Sequence, residues 1–216
     1  MMSKQTNKSK RAYKTEQEIF WAGSFGDEYI ARNRSEQLHA ANLALFSFVL
    51  KRATRVKSII ELGANIGMNL KALRVLLPDA GISGVEINEK AVKTMGRIPG
   101  VTAIHSSLFD FKAKAHDIAF TKGVLIHLNP DLLPKAYDQL ARAGRRYVVI
   151  IEYYNPAPVE VPYRGHSGRL FKRDFAGEFM MQHPSYKLLD YGFVYHRDPV
   201  FPQDDLTWFV MENQAV

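Results

Sequence analysis

The stretch that decides the fold is Ser-Ile-Ile-Glu-Leu-Gly-Ala-Asn-Ile-Gly-Met-Asn-Leu at positions 58–70. Its first three residues begin an apolar run without polar alternation, which is typical of a strand covered on both faces. Gly63 and Gly67 bracket a tight turn, and apolar residues then recur at helical spacing. A strand, a glycine loop and a helix begin a βαβ unit, in which the loop backbone and the helix N-terminus can approach a ligand.

The glycine spacing in this loop indicates the kind of ligand. The Gly-x-Gly-x-x-Gly of dinucleotide folds is missing, as is a Walker lysine. The pattern Glu-x-Gly-x-x-x-Gly instead resembles the first motif of class I S-adenosylmethionine (SAM) methyltransferases. The resemblance implies that Glu61 lies near the methionine amino group. It also implies cofactor contacts from Gly63, Ala64, Asn65 and Gly67, with Asn65 standing where the family usually has a glycine. The alternative is a glycine turn in another α/β domain.

Length and composition fit one globular domain of ordinary polarity. The chain has 216 residues, of which 46% are hydrophobic and 24% charged. No apolar run approaches the roughly 20 residues of a membrane helix. The N-terminus lacks the apolar core of a signal peptide, so we expect a cytoplasmic protein without a membrane partner. With no cysteine, disulfides, iron–sulfur clusters and thiolate zinc sites are excluded.

The net charge of +7 is concentrated at the N-terminus. Residues 1–14 hold five of the 29 Lys and Arg residues and no acid, which leaves 24 against 22 acidic residues elsewhere, a net charge of +2. We predict a disordered basic leader at 1–14 and a single domain at 15–216. Because the domain is not a basic surface, we do not expect nucleic acid as a partner, although an RNA-binding arm is the alternative for the leader.

Seven strands are expected, and the last two have no helix between them. Two final strands joined directly form an antiparallel pair, which separates a methyltransferase sheet from an NAD-type sheet. The fold class is α/β, and the resemblance to class I methyltransferases implies a Rossmann-like fold with sheet order 3-2-1-4-5-7-6, the last strand antiparallel, and helices on both faces. We predict the strands near residues 58–60, 81–87, 101–105, 118–120, 146–152, 187–195 and 206–211.

Ligand contacts are expected at the carboxyl ends of these strands, where open α/β sheets bind ligands. Glu86 closes the second strand and is placed to bind ribose hydroxyls, with Ile87 beside it; a solvated acid is the alternative. Ser107 and Leu108 follow the third strand, where the resemblance to class I methyltransferases implies a contact with adenine; Asp110 is the alternative. Lys122 and Gly123 end the fourth strand and complete the predicted cofactor site.

Two residues are candidate bases, and two more form a candidate substrate wall. His127 follows the fourth strand in a segment that resembles the corresponding motif of small-molecule methyltransferases, so it could face the transferred methyl group; a structural role is the alternative. Glu152 ends the fifth strand on the same side. Tyr153 and Tyr154 come directly after it and are predicted to contact the substrate.

Residues 15–34, which we name the N-terminal cap, combine aromatic residues with two glycines. We predict that they cover the ligand pocket, because a helix used only for docking would not place glycines among its anchors. The docking helix is the alternative. Ser35 then starts a helix that we interpret as packing rather than ligand binding. The predicted cofactor contacts of the cap are Trp21 and Phe25, and the predicted substrate contacts are Tyr29, Arg32 and Asn33.

A long loop at 156–170 leads into a helix predicted to begin at Phe171. Loops of this length are more often functional than decorative. The segment from 164 to 173 is rich in cations and holds no acid before Asp174, which suits a phosphate or carboxylate. A solvated loop is the alternative. The predicted substrate contacts here are Arg164, His166, Arg169, Lys172 and Arg173.

Several motifs together resemble the pseudaminic-acid-biosynthesis-associated methylases, a family named for surface-sugar and flagellar-glycan pathways. The resemblance covers residues 15–213. Its motifs are Phe-Trp-Ala-Gly-Ser-Phe-Gly-Asp-Glu-Tyr-Ile-Ala-Arg-Asn (20–33), Phe-Thr-Lys-Gly-Val-Leu-Ile-His-Leu-Asn-Pro (120–130), Ile-Glu-Tyr-Tyr-Asn-Pro (151–156), Gly-Arg-Leu-Phe-Lys-Arg-Asp-Phe-Ala-Gly-Glu (168–178), Tyr-Gly-Phe-Val-Tyr-His-Arg-Asp (191–198) and Phe-Pro-Gln-Asp-Asp-Leu-Thr-Trp-Phe (201–209).

These observations predict an enzyme that transfers the methyl group of SAM to an oxygen or nitrogen of a small, anionic metabolite and releases S-adenosylhomocysteine (SAH). The acceptor could be a sugar nucleotide or a phosphorylated or amino-acid-derived compound. The alternatives are an RNA or protein methyltransferase, which deletion of residues 1–14 would distinguish, and a non-catalytic SAM-binding partner protein. We expect no metal, because no fixed short metal-ligand spacing is present, and either a monomer or a homodimer.

Overall fold

The computed structural model describes residues 13–30, 35–112 and 114–216. From position 58 onward the chain begins with the strand, glycine loop and helix that the sequence predicts. The strands are β1 (Ser58–Leu62), β2 (Gly81–Glu86), β3 (Val101–His105), β4 (His116–Lys122), β5 (Gly144–Glu152), β6 (Val159–Glu160), β7 (Phe171–Lys172), β8 (Tyr186–Val194) and β9 (Leu206–Asn213). The helices are α1 (Glu16–Ala22), α2 (Ser24–Tyr29), α3 (Glu36–Val49), α4 (Met68–Leu76), α5 (Glu89–Met95), α6 (Leu133–Ala143) and α7 (Phe175–Gln182).

The predicted sheet order is confirmed. Seven strands pair in the order β3-β2-β1-β4-β5-β9-β8, where β8 and β9 are the sixth and seventh strands of the prediction. The first five pair in parallel, and β9 is antiparallel to both β5 and β8. Because parallel strands share one orientation, the carboxyl ends of β1 to β5 lie along one edge of the sheet.

Helices cover both faces of the sheet, which explains why its central strands are continuously apolar. In β5, all five residues from Tyr147 to Ile151 are buried. One face packs against α6 and α7 through residues such as Leu140 and Phe179. The other packs against α3 and α4 through residues such as Phe46 and Leu73. Both faces of the sheet are therefore shielded from solvent. The edge formed by the carboxyl ends of the strands is left for polar side chains.

The helix predicted from Phe171 begins four residues later. Phe171–Lys172 forms β7 and pairs with Val159–Glu160, so the predicted loop at 156–170 contains one strand of a small antiparallel pair. The side chain of Asp174 accepts a hydrogen bond from the Gly177 amide at 2.9 Å and caps α7. An Asp at this position is a strong helix start, and it sets the boundary that apolar spacing alone placed too early.

The described part of the N-terminal cap, residues 15–30, contains two short helices that meet at Gly23. Gly23 ends α1 and begins α2 with an extended backbone. Thr15 and Glu18 form a reciprocal capping box that starts α1. Arg32 and Asn33 lie outside the described residues. Within the described part of the chain, no helix combines the length and apolar character needed to cross a membrane.

Gly84 of β2 packs tightly against side chains of α4 and α5. A Cβ atom there would lie 2.5 Å from Met95 Sδ, 2.7 Å from Leu70 Cδ1 and 2.9 Å from Ala64 Cβ. We expect Gly84→Ala to lower the free energy of unfolding by about 1–3 kcal/mol, measured by urea denaturation, because overpacking a filled core strains it. Gly81→Ala in the same strand is the matched control, since its nearest atom is 3.9 Å away. Equal losses in both variants would contradict this explanation.

Candidate functional site

A cavity of about 650 Å³ opens at the edge formed by the carboxyl ends of β1 to β5. Its volume falls within the usual range of ligand clefts, about 300–1,000 Å³. One polar residue follows or ends each strand and lines the cavity. In sheet order these residues are Ser107 after β3, Glu86 at β2, Glu61 at β1, Lys122 at β4 and Tyr153 after β5. With neighbouring strands about 4.8 Å apart, the row from Ser107 to Lys122 spans roughly 14 Å.

The glycine loop adopts a conformation that explains its composition. Gly63 and Gly67 have φ values of 83°, and Asn65 has a φ of 47°. Asn is among the non-glycine residues that enter this left-handed region most readily, so it can replace the usual glycine. A Cβ atom on Gly63 would lie 2.6 Å from a methyl group of Val124. Gly67 packs instead beside Ile98 and Met95 and does not line the cavity.

Glu86 connects the loop to the second strand. One carboxylate oxygen accepts a hydrogen bond from the Asn65 amide at 2.8 Å, and the other accepts one from the Asn88 amide at 2.7 Å. The side chain is 9% exposed, and burial raises its pKa. Each carboxylate oxygen has a second lone pair, so two hydroxyl groups could still donate to Glu86 from the cavity.

Glu61 and Lys122 place a carboxyl group and an amino group on neighbouring strands. Glu61 is 1% exposed, and one of its oxygens accepts from the Asn69 side chain at 2.6 Å. Burial raises the pKa of Glu61 to about 8, partly opposed by the Asn69 bond and the charge of Lys122. Burial lowers the pKa of Lys122 to about 8, with Glu61 opposing. The Lys122 ammonium donates to Asn42 Oδ1 at 3.1 Å.

The cap lies over the end of the cavity at β2 and β3. Ser107 Oγ donates to Glu18 of α1 at 2.5 Å, and both residues line the cavity. The Asn88 side chain, just beyond Glu86, donates to the Trp21 carbonyl at 3.3 Å and to Asp27 at 2.9 Å. The cap is therefore attached to residues that flank the predicted nucleoside site.

His127 lies at the cavity wall, in a 3-10 turn after β4. Its Nδ1 is 2.6 Å from the Arg169 carbonyl. Since a carbonyl only accepts, Nδ1 carries the proton and Nε2 keeps a free lone pair. The ring packs between Trp21 and Tyr163, at centroid distances of 4.8 and 4.9 Å. Burial lowers the pKa of His127 to about 4, so the ring is neutral at physiological pH.

Glu152 is the candidate base that the structure places away from the cavity. Its Oε1 accepts from the Thr121 hydroxyl at 3.1 Å and from the amides of Val124 and Leu125 at 3.0 Å. The side chain is 2% exposed and does not line the cavity. Burial raises its pKa to about 7. Its contacts hold the turn that presents Gly123 and His127.

The predicted anion cluster is divided by acids from distant segments. Arg169 pairs with Glu16 of α1 at 3.2 Å, and Arg173 pairs with Glu178 of α7 at 2.6 Å. Lys172 lies over the Tyr153 ring, outside the cavity lining. Arg164 is the member of the cluster that lines the cavity.

Most predicted cofactor residues reach the cavity, and most predicted substrate residues do not. Two of the predicted residues, Arg32 and Asn33, lie outside the described residues. The predicted residues that line it are Trp21, Tyr29, Glu61, Gly63, Ala64, Asn65, Glu86, Ile87, Ser107, Leu108, Lys122, Gly123, His127, Tyr153 and Arg164, whereas Phe25, Gly67, Glu152, Tyr154, His166, Arg169, Lys172 and Arg173 do not.

Sequence reasoning missed several residues of the lining, including residues on α3 and in the connection between β8 and β9. Asn42 lies on α3, which was interpreted as a packing helix, yet this side chain lines the cavity and is 1% exposed. A polar residue on the apolar stripe of α3 was the available signal. His196, Gln203 and Asp204 come from the connection between β8 and β9 and also line the cavity. All three belong to the motifs at 191–198 and 201–209 that carry the family resemblance, but the sequence analysis assigned them no role in the site. Among the described residues, no group of three or more His, Asp or Glu could hold a metal ion.

No protein-family model and no curated protein sequence matches this chain. Solved structures do resemble it. Magnesium protoporphyrin IX methyltransferase from Synechocystis PCC 6803 with bound SAM has a TM-score of 0.68 at 10% identity, over 94% of this chain and 99% of that one. A Burkholderia thailandensis 1,6-didemethyltoxoflavin-N1-methyltransferase with bound 1,6-didemethyltoxoflavin and SAH has a TM-score of 0.66 at 15% identity, over 91% and 86%.

An amino pentose methyltransferase from Micromonospora echinaspora, involved in calicheamicin biosynthesis and bound to SAM, has a TM-score of 0.62 at 12% identity, over 88% of this chain and 96% of that one. At these identities the likeness concerns the fold. The strand order, the antiparallel β9 and the helices on both faces agree with it. The chain has the fold of the class I SAM-dependent methyltransferases.

Proposed function

We propose that this protein transfers the methyl group of SAM to an oxygen or nitrogen of a small molecule. The observation that carries the proposal is the row of polar residues at the sheet edge. Ser107, Glu86 and Glu61 follow one another on adjacent strands, beside a glycine loop in the conformation described above. The same order suits an adenine ring, a ribose and an amino acid joined end to end. The bound SAM and SAH of similar folds support this cofactor.

The described residues fit that cofactor. Glu86 keeps lone pairs for ribose hydroxyls while the loop amides hold its orientation. Leu108 and Trp21 offer apolar surface beside Ser107 for a planar ring. Glu61 has one carboxylate oxygen without a partner, at the strand where the amino-acid end would lie. Gly123, at the end of β4, leaves room for the thioether between the two ends.

Bound SAM supplies an activated methyl group for a single in-line displacement. The residues of this chain align the acceptor and exclude water, which can be worth about 7–11 kcal/mol of the barrier. Trp21, Tyr29, Tyr153 and Tyr163 supply the aromatic walls on that side.

We assign His127 as the catalytic base. The free lone pair of its Nε2 takes the proton that the methylated oxygen or nitrogen of the substrate loses. We expect His127→Phe, which keeps the ring packing, to lower kcat about 100-fold, because a positioned base contributes on the order of 10²–10⁴. The Kd for SAH should change less than about twofold. Since the pKa of His127 is near 4, the wild-type rate should show no His127 titration between about pH 6 and 9.

Tyr154→Phe is the matched control for His127→Phe, since Tyr154 is 44% exposed and lies outside the cavity lining. Steady-state rates with the best acceptor and calorimetric Kd values for SAH provide the two readouts. Full kcat in His127→Phe would remove His127 from the mechanism.

The acceptor is proposed to be small and to carry one anionic group. Arg164 at the cavity wall, with its guanidinium over the Tyr163 ring at 5.5 Å, is the residue that would bind it. Resemblance to the pseudaminic-acid-associated methylases adds surface-glycan precursors to the candidates. The amino pentose acted on by the Micromonospora protein supports including sugars.

Calorimetric titration with SAH and with NAD tests this proposal first. We expect SAH to bind with a Kd on the order of micromolar and NAD not to bind. Acceptors are then screened by SAH release from SAM, among sugar nucleotides, phosphorylated metabolites and amino-acid derivatives. NAD binding without SAH binding would replace the proposal with an oxidoreductase.

A further inference from the structure

Three cavity-lining side chains bury a polar atom that has no hydrogen-bond partner among the described residues. These atoms are Asn42 Nδ2, Glu61 Oε2 and Gln203 Oε1. Asn42 and Glu61 are 1% exposed, and Gln203 is 8% exposed. Leaving such an atom unpaired destabilises a protein, and native proteins contain few of them. Three at one end of one cavity therefore indicate a ligand that pairs with them.

The bonds that these side chains already make fix which atoms remain available. Asn42 Oδ1 accepts from the Lys122 ammonium at 3.1 Å, so its free atom is the amide nitrogen, a donor. Gln203 Nε2 donates to the Ala41 carbonyl at 2.8 Å, so its free atom is the oxygen, an acceptor. Glu61 adds a second acceptor, and Lys122 keeps further N–H donors.

Two donors beside two acceptors match a zwitterion. A carboxylate would accept from Asn42 and Lys122, while an ammonium would donate to Glu61 and Gln203. Glu61 and Lys122 lie on paired strands, β1 and β4, about 4.8 Å apart. An α-amino acid carries its two charged groups on one carbon. Side chains from two neighbouring strands can therefore contact both groups at once.

We propose that Asn42 and Gln203 complete, with Glu61 and Lys122, a subsite for the amino-acid end of SAM. This inference rests on the proposed function. It adds two residues from α3 and from the β8–β9 connection, which lie outside the glycine loop and the strand ends. The position agrees with the sheet order, because Ser107 at the adenine end is three strands away from Lys122.

A ligand bound by Gln203 would also contact the connection between β8 and β9, to which Gln203 belongs. Its neighbour Asp204 lines the same cavity and lies close enough to Tyr153 and Arg164 to influence their ionisation. An amino-acid group bound by Gln203 would therefore hold the connection that also supplies an acceptor wall. SAH should protect the amides of residues 196–206 from hydrogen exchange.

Two probes separate this subsite from the rest of the cofactor site. SAH carries the amino-acid group, and 5′-methylthioadenosine is the same nucleoside thioether without it. We expect Asn42→Ala and Gln203→Ala each to weaken SAH binding about 10-fold or more by calorimetry, since a hydrogen bond to a charged group is worth roughly 1.5–3 kcal/mol. Binding of 5′-methylthioadenosine should change less than about twofold. Ser47→Ala, an exposed position on α3, is the control.

Each outcome distinguishes the inference from the proposed function. Unchanged SAH binding in both variants, or equal losses for both probes, would overturn the subsite while leaving SAM binding intact. Failure of the wild-type protein to bind SAH at all would overturn the proposed function as well. Hydrogen exchange of the wild-type protein needs no variant: protection of 196–206 by SAH but not by 5′-methylthioadenosine supports the subsite, and equal protection by both contradicts it.

Discussion

Glu86→Gln is expected to weaken the binding of SAH at least about 100-fold. Both carboxylate oxygens of Glu86 accept backbone amides, from Asn65 and from Asn88. A glutamine can accept only one of them and turns an NH₂ group toward the other donor. Its remaining hydrogen bonds to ribose would also be weaker, and bonds to a charged group contribute about 1.5–3 kcal/mol each. A loss of about 2.8 kcal/mol is a 100-fold change in Kd.

Glu89→Gln is the matched control for this substitution. Glu89 lies three residues away, at the start of α5, and is exposed while pairing with Lys93. Its replacement by glutamine should leave the Kd for SAH within about twofold. Calorimetric titration of the three proteins provides the comparison. A Glu86→Gln protein that still binds SAH within threefold of the wild type would refute the ribose assignment.

Glu152→Ala is expected to lower the free energy of unfolding by about 3–5 kcal/mol. The substitution leaves the Thr121 hydroxyl and the Val124 and Leu125 amides without their shared acceptor, which is 2% exposed in the wild type. Each unpaired buried donor costs about 1–3 kcal/mol. The turn that carries His127 would lose its anchor, so activity should fall with stability.

Glu152→Gln distinguishes an anchor from a base. All three bonds go to Oε1, and Oε2 has no partner, so a glutamine oxygen can keep every one of them. Methyl transfer should therefore persist in this variant. If Glu152 were the base instead, the glutamine variant would lose activity as completely as the alanine variant.

The pH dependence of stability follows from the same burial. The folded-state pKa of Glu152 is raised from 4.5 to about 7, so its stabilising contribution is complete below about pH 4.5 and is lost as the pH rises through 7. The loss is of the order of 3 kcal/mol. Glu152→Gln removes this term, and its unfolding free energy should depend less on pH between 5 and 8 than that of the wild type.

Urea denaturation at pH 5 and pH 8 measures both effects. Glu28→Ala, at an exposed position on α2, controls for the loss of a carboxylate at the surface. Equal pH dependence in the wild type and in Glu152→Gln would contradict the assignment of a buried, ionisable Glu152. A loss below about 1 kcal/mol in Glu152→Ala would contradict its role as the anchor of the turn.

Local sequence was sufficient to predict where the strands of the sheet lie and how the last two strands pair. The apolar runs around Ile60 and Val149 are long enough to be buried strands, and the missing helix between β8 and β9 predicts their antiparallel pairing. The boundary at Phe171 was wrong because apolar spacing continues through residues that pair as a strand, whereas the Asp174 cap decides where α7 starts. A capping residue and apolar periodicity can indicate different first residues for a helix, and in α7 the capping residue determines the start.

The site was predictable where one strand end carries the group and not where two distant segments meet. Glu61 and Glu86 lie at or near the carboxyl ends of β1 and β2, and the direction of the parallel strands places these ends beside the cavity. Arg169 and Arg173 looked unpaired in the sequence because the acids that pair with them, Glu16 and Glu178, come from α1 and α7. Glu152 looked like a base because its position at a strand end is visible in sequence, but the direction of its carboxylate is not.

The sequence by itself indicated the strand, glycine loop and helix that begin the fold, the positions of the buried strands and the acids at or near the ends of β1 and β2, because these depend on residues within a few positions of one another. The tertiary structure alone decided which charges are neutralised and which polar atoms stay unpaired. Asn42 and Gln203 are 161 positions apart in the chain, yet Gln203 binds the carbonyl of Ala41, the residue before Asn42. Contacts of that kind arise from packing α3 and the β8–β9 connection against one sheet edge, and no local pattern records them.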